Sequence, residues 1–337
     1  MYLSIISKPF RTIKHPTLLN QFYLNNFVKL GLCKLTKKNL YLEKAKRLKK
    51  AAGRPFVNND AFNEILKEKL NSTEPFFCCR YGSTELTSCF YGLLKTLGIL
   101  DNVPPKFIRQ LKYSSGVFPE KEETFLQFSE EYIKALGNAD LNAYWGSVLM
   151  EEHMIAHSMS KTCVQYAMRA LEPFQYQEPW TVALGGKKVL IVHPFSELIK
   201  QQYQRRNEIF PGKNFLPDFD LNVVKAIQSS GTATPEEYTD WVNALDSLFN
   251  QCIGKTFDVA LLGCGSYAVP LGSRLKNAGK QAIVLGGMMQ LLFGIKGARW
   301  EASRTDIVAM YNEAWVRPGE NYLVKGADKI GDGPAYW

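Results

Sequence analysis

Short apolar runs that end in a polar or glycine-rich turn and lead into a helical pattern recur along this chain, and that alternation constrains its fold most. The clearest are Val189 to Val192, ending in His193-Pro194-Phe195, and Asp258 to Leu262, ending in Gly263-Cys264-Gly265-Ser266-Tyr267. Ala282 to Leu285 follows and runs into Gly286-Gly287. Nearer the start, Phe76 to Cys79 passes through Arg80-Tyr81-Gly82-Ser83-Thr84-Glu85 into a helical pattern from Leu86 to Leu97, and Asp140 to Trp145 reads as a further strand. Helices are expected from Asp60, as N-cap, to about Leu70, and over Pro119 to Leu136, Ser196 to Ile209 and Pro235 to Ile253. Strands separated by helices predict an α/β protein with a Rossmann-like, doubly wound, mainly parallel sheet. In such a sheet the turns after the strands share one edge, where ligands bind.

Composition narrows the class further. Hydrophobic residues make up 46% and charged residues 22% of 337, the values of a folded globular chain rather than a disordered or fibrous one. The two longest uncharged apolar-rich stretches, Val259 to Gly272 and Ala282 to Ile295, are broken by glycine and fall short of the roughly 20 residues that cross a bilayer. The apolar run before Lys8 is too short for a signal-peptide core, so the expectation is a cytoplasmic protein. Seven cysteines without metal-like or disulfide-like spacing imply reduced thiols.

The net charge of +9 is concentrated at one end. Residues 1–55 carry thirteen lysines and arginines against one acid, Glu43, while residues 56–337 are mildly acidic. We therefore divide the chain into a basic helical N-terminal arm, 1–55, and a body, 56–337. Leu19, Phe22, Tyr23, Phe27 and Leu30 fall near helical spacing between the charges. That pattern suits either an anionic membrane surface, which would make the protein peripheral at the inner membrane face, or a solvated helix packed on the body. Nucleic acid is not expected as a partner, because no nucleic-acid module follows.

Several residues could carry chemistry. Gly263-Cys264-Gly265 lies between a strand and a helix, where backbone N–H groups can cradle a phosphate, yet the third glycine of the dinucleotide fingerprint is replaced by Ala268. A plain tight turn, or a nucleotide cofactor site of another Rossmann-like enzyme, uses the same pattern. Gly286-Gly287 should share that edge. Arg80 can pair with a diphosphate and Glu85 can hold a divalent metal or sugar hydroxyls, unless the two simply form an ion pair. His193, at a strand end, and Asp218, in Asp218-Phe219-Asp220, are candidate bases. Glu151-Glu152-His153 with His157 puts two histidines one turn apart, a conceivable metal pair, but with no third ligand evident it reads as an ordinary helix face.

Taken together, several stretches resemble the bacterial GT-D-type glycosyltransferase-like proteins associated with capsule, lipopolysaccharide or surface-glycan assembly. They are Arg80 to Glu85, Val189 to Phe195, Leu216-Pro217-Asp218-Phe219, Gly263 to Tyr267 with Pro270-Leu271, and Gly286-Gly287 through Gln290 to Gly297 with Arg299-Trp300. Trp315-Val316-Arg317-Pro318 and Tyr336-Trp337 fit the same group. The resemblance covers about residues 75 to 337. It implies a transferase that moves a sugar from a nucleotide-diphosphate donor to a surface-polysaccharide or lipid-linked glycan acceptor. It also implies donor binding by Arg80, Gly82, Ser83, Gly263, Gly265, Ser266, Tyr267, Gly286, Gly287 and Gln290, with Glu85, Asp218 and His193 as catalytic groups. Mg²⁺ or Mn²⁺ on Glu85 would follow from the family's Asp-x-Glu, but Ser83 stands where the Asp is expected. The alternative implied by that departure is a non-catalytic glycan-binding or scaffold protein of a polysaccharide assembly complex.

Overall fold

A computed structural model describes residues 53–327, 330 and 336, apart from 147 and 149. Apart from Gly53, Arg54 and Pro55, the basic arm and its membrane reading lie outside the described residues. Eight strands form one sheet: β1 (Phe56–Val57), β2 (Phe77–Cys79), β3 (Leu141–Tyr144), β4 (Val164–Ala167), β5 (Lys188–His193), β6 (Asp220–Lys225), β7 (Val259–Leu262) and β8 (Gln281–Val284). Their order across the sheet is β1-β4-β3-β2-β8-β7-β5-β6, and every neighbouring pair is parallel. The α/β parallel architecture read from the sequence is the one observed.

Side-chain alternation explains why the strands look uniformly apolar. Leu190, Val192, Ala260, Leu262, Ala282 and Val284 face one hydrophobic layer, while Val189, Ile191, Val259, Leu261 and Ile283 face the other. A sheet buried on both faces has no polar side to alternate with. The helices of eight or more residues cover it as α1 (Asn59–Asn71), α2 (Ser83–Thr96), α3 (Pro105–Ser115), α4 (Glu122–Gly137), α5 (Glu151–Ser158), α6 (Ser196–Gln204), α7 (Trp241–Ile253) and α8 (Ala268–Asn277). Helices α2, α3, α4, α5, α7 and α8 pack on the first layer; α1 and α6, with the short helix Met288–Leu292, pack on the second.

That arrangement makes a switch point between two central strands. β2 and β8 are neighbours, with Cys78 opposite Ile283. The chain leaves β2 toward one layer through α2 and leaves β8 toward the other through Met288–Leu292. The connections diverge, so a crevice opens between the strand ends.

Element boundaries differ from the sequence reading where a tertiary partner decides them. Asn58, not Asp60, caps α1, its side chain accepting the Ala61 N–H at 2.8 Å. Helix α2 starts at Ser83, which places Ser83, Thr84 and Glu85 in its first turn rather than in a loop. Helix α7 starts only at Trp241, capped by the Asp240 side chain accepting the Asn243 N–H at 2.8 Å. Strands β1, β4 and β6 were not anticipated. The six described cysteines, Cys78, Cys79, Cys89, Cys163, Cys252 and Cys264, are buried free thiols. No helix among the described residues is long and apolar enough to cross a membrane.

The packing under the crevice is close. Gly272 of α8 lies so tightly on the Phe77 ring of β2 that a methyl group there would overlap it. Gly272→Ala should therefore lower stability by about 1–3 kcal/mol, the usual cost of overpacking a core, despite alanine's better helix propensity. Urea denaturation measures this; a neutral or stabilising effect would show that the α8–β2 contact gives way.

Candidate functional site at the ends of the central strands

The site is built from the turns that leave β2, β5, β7 and β8. Arg80 follows β2 directly, and its Nη1 donates to the Leu285 carbonyl at the exit of β8. The turn beyond is Gly286, whose φ of +57° suits glycine and whose missing side chain leaves room for the arginine: a Cβ there would sit 3.1 Å from Arg80 Nη1. One step along the sheet, a Cβ on Gly263 would lie 3.2 Å from the Gly286 carbonyl oxygen and 2.7 Å from His193 Cδ2. Arg80, Gly286, Gly263 and His193 thus form one contiguous row across four strand ends. Gly265, with φ of +60°, has nothing within 4 Å of its Cβ direction, so the β7 turn is open on that side. Its N–H and that of Ser266 have no acceptor among the described residues.

The electrostatics of the row are unusual in one respect. Arg80 forms no ion pair among the described residues, and burial pulls its pKa below that of an ordinary arginine. The Glu172 charge acts the other way. A partly buried guanidinium with no carboxylate bonded to it directly can still take an anion. The ion pair with Glu85 allowed by the sequence is not formed.

Glu85 takes a different path. Its carboxyl folds back over Gly82, the residue before α2, filling the space a Cβ would occupy. Burial raises its pKa, and a hydrogen bond with Ser115 opposes the rise. Ser83, two residues earlier in the same turn, is exposed. Among the described residues no group of three His, Cys, Asp or Glu side chains is placed to hold a metal ion.

Two base assignments need correction. Asp218 precedes β6 and therefore lies at the N-terminal edge of the sheet, opposite the Arg80 row; its carbonyl accepts the Gly186 N–H at 2.8 Å, just before β5 begins. Its carboxylate faces solvent and pairs with Arg206 at 2.8 Å. His193 is in the row, but Nδ1 accepts the Phe195 N–H at 3.0 Å, so the neutral ring carries its proton on Nε2. Burial lowers its pKa to about 3. At neutral pH such a ring donates a hydrogen bond and is a poor proton acceptor.

Three donor-binding assignments are also narrowed to the backbone or removed. Ser266 Oγ accepts Trp241 Nε1–H at 3.0 Å inside the first layer, and Tyr267 stacks on Trp241 with its hydroxyl 3.0 Å from Ser229 Oγ. Both side chains are buried away from the crevice. Gln290 Nε2 donates to the carbonyls of Lys296 at 2.9 Å and Tyr336 at 2.7 Å. Tyr336 and Trp300 in turn cover Gly287, and the Tyr336 hydroxyl accepts Arg299 Nη1–H at 2.8 Å. Tyr336 thus packs on the body through both its ring and its hydroxyl.

Glu151 corrects the reading of its helix as an ordinary face. It is wholly buried, and burial pushes its pKa up to about 7 against three hydrogen bonds. Tyr81 O–H and the Trp145 N–H reach Oε1 at 2.5 and 2.6 Å, and the Gly146 N–H reaches Oε2 at 2.5 Å. The available signal was its position immediately after the β3 turn.

No family model matches the chain, and no curated protein matches it. Two solved structures do, each 11% identical over 82% of this chain and 100% of theirs. One is described as a selenomethionine-substituted structure of domain of unknown function 1792, with a TM-score of 0.40. The other is described as the highly conserved domain of unknown function 1792 with a distinct glycosyltransferase fold, with a TM-score of 0.43. At this level of likeness the functional reading rests on the residues themselves.

The depressed His193 pKa carries a stability consequence. The neutral form is the folded one, so the contribution is whole above the ordinary pKa of about 6.5 and is lost as pH falls toward about 3. Between pH 7.5 and 4.5 His193→Asn should lose less stability than the wild type, by on the order of 2 kcal/mol. Equal losses in denaturant titrations at the two pH values would mean that His193 is solvated.

Proposed function

We propose that the protein is a glycosyltransferase that takes a nucleotide-diphosphate sugar at the switch point between β2 and β8 and passes the sugar to a surface-polysaccharide or lipid-linked glycan acceptor. The observation that carries this reading is Arg80: a guanidinium at the ligand-binding edge of a parallel sheet, beside two glycine turns, with Glu172 acting on it only from beyond ion-pair distance among the described residues. The donor and acceptor classes come from the resemblance of Arg80 to Glu85, Gly263 to Tyr267 and Gly286 to Gly297 to the GT-D-type family.

In this reading the departing diphosphate gains negative charge as the glycosidic bond to the donor breaks. Arg80, the backbone N–H groups of Gly265 and Ser266 and the His193 Nε2–H meet that charge. Donors fixed before reaction need no reorganisation as the charge develops. Glu85, whose carboxyl lies over Gly82 at the start of α2 and whose pKa burial raises, would swing to the acceptor hydroxyl and take its proton. A Mg²⁺ or Mn²⁺ ion entering with the donor would find one protein carboxylate, Glu85, and the Ser83 hydroxyl on the first turn of α2. The basic residues 1–55 would hold the protein to the anionic face of the membrane that carries the acceptor.

The exposed Ser83 in the position of the family's Asp favours a second reading, a glycan-binding or scaffold protein that keeps the donor crevice without turnover. Thermal-shift screening against nucleotide-diphosphate sugars, with and without Mn²⁺, followed by a transfer assay, separates the two. A donor should raise the melting point of the wild type, and Arg80→Met should abolish that rise. Equal stabilisation of the variant would remove Arg80 from the site. Binding without hydrolysis or transfer would select the scaffold reading. Glu85→Ala should leave donor binding in place and lower transfer by at least about 100-fold, the scale of a lost general base.

A further inference from the structure

We propose that Glu151 is a positioning residue that bolts the Arg80 turn to the β3 exit turn and lets that turn tighten or loosen with its own protonation. The proposal rests on the reading of Arg80 as an anion-binding group. Its basis is a closed set of hydrogen bonds between two adjacent strand ends. Tyr81, the residue after Arg80, sends its hydroxyl to Glu151 Oε1 at 2.5 Å. The N–H groups of Trp145 and Gly146, which leave β3, reach Oε1 and Oε2 at 2.6 and 2.5 Å. Trp145 closes the loop by donating its indole Nε1–H to the Tyr81 carbonyl at 3.1 Å. One buried carboxylate therefore fixes both the backbone and the side chain of the residue that follows Arg80.

The chemistry of the set makes it sensitive to a proton. Two of the three groups facing Glu151 are backbone donors that cannot become acceptors, and only Tyr81 can reverse its hydrogen bond. The ionised carboxylate satisfies all three donors. A protonated Glu151 keeps the Tyr81 contact by donating to the tyrosine oxygen, but it holds the two amides more weakly, because charge-assisted bonds are roughly twice as strong as neutral ones. The turn is thus tighter above the Glu151 pKa, which burial has moved to about 7.

The titratable and charged groups near it are few. Glu152, His153 and His157 share its helix, and Glu152 donates nothing to Glu151 but raises its pKa by charge while accepting the Tyr144 hydroxyl at 2.5 Å. Helix α2 carries Glu85 and Cys89 and helix α4 carries Tyr132, all on elements packed against α5. Arg54 donates to the Met159 carbonyl at 2.6 Å at the far end of the helix. Tyr81 and Glu152 are the side chains whose hydrogen bond or charge acts on Glu151.

Two readouts test the proposal on the full chain. In ¹⁵N-labelled protein the Trp145 indole N–H resonance, assigned with Trp145→Phe, should move with a midpoint near pH 7, and Glu151→Gln should remove that transition. Tyr81→Phe, which deletes one stabilising donor and keeps the ring, should shift the midpoint upward. In parallel, calorimetric titration with inorganic pyrophosphate should show wild-type affinity rising between pH 6 and 8 by several-fold more than that of Glu151→Gln; the ligand's own titration cancels in the comparison. An indole resonance indifferent to both substitutions overturns the proposal. So does pyrophosphate binding that requires Arg80 yet is identical in wild type and a folded Glu151→Gln at both pH values. Failure of the wild type to bind pyrophosphate at any pH, with the indole transition intact, instead overturns the anion reading of Arg80 and with it the functional part of the proposal.

Discussion

An arginine set at the end of a central strand, gripping the carbonyl of the neighbouring strand and left without a carboxylate, is the interaction on which the account depends. Arg80 reaches across the β2–β8 boundary to Leu285, and the glycines at 286 and 263 let backbone and guanidinium come together there. The sheet makes this possible: all strands run one way, so every turn that follows a strand arrives at the same edge. The divergence of the connections after β2 and β8 then keeps helices from filling the gap between them.

Around that point the protein has spent most of its polar groups on internal partners. Ser266, Tyr267 and Gln290 hold loops and helices in place, Tyr336 covers Gly287, and His193 is kept neutral by burial with its Nδ1 occupied by the Phe195 amide. What remains is Arg80, only partly covered, and the open side of Gly265, while the Glu85 carboxyl folds back over Gly82. A site with one uncompensated cation and free backbone donors is suited to an anion, and a diphosphate fits that description better than a neutral sugar alone.

The fold was legible because burial on both faces writes itself into β5, β7 and β8 as unbroken apolar runs closed by glycine or histidine. Strands β1, β4 and β6 lack that signature. β6 lies at the edge of the sheet, so Leu221, Asn222 and Val223 are only partly covered and its sequence reads as mixed. The error over Asp218 has the same origin: without β6, nothing placed Asp218 before a strand, and hence at the wrong edge for the Arg80 row. Glu151 was hidden for a different reason. Acids at a helix start usually sit in water, and only the tertiary approach of Tyr81 shows that this one is buried. The row of Arg80, Gly263 and Gly286 could be anticipated because strand-end turns in a parallel sheet meet whatever their separation in sequence.

The central claim is spatial, so the most direct measurement is a crystal structure of the protein with a nucleoside diphosphate bound. The account predicts phosphate oxygens within hydrogen-bond distance of the Arg80 guanidinium and facing the Gly265 turn. A diphosphate bound elsewhere, with Arg80 still bonded to Leu285 alone, would contradict it.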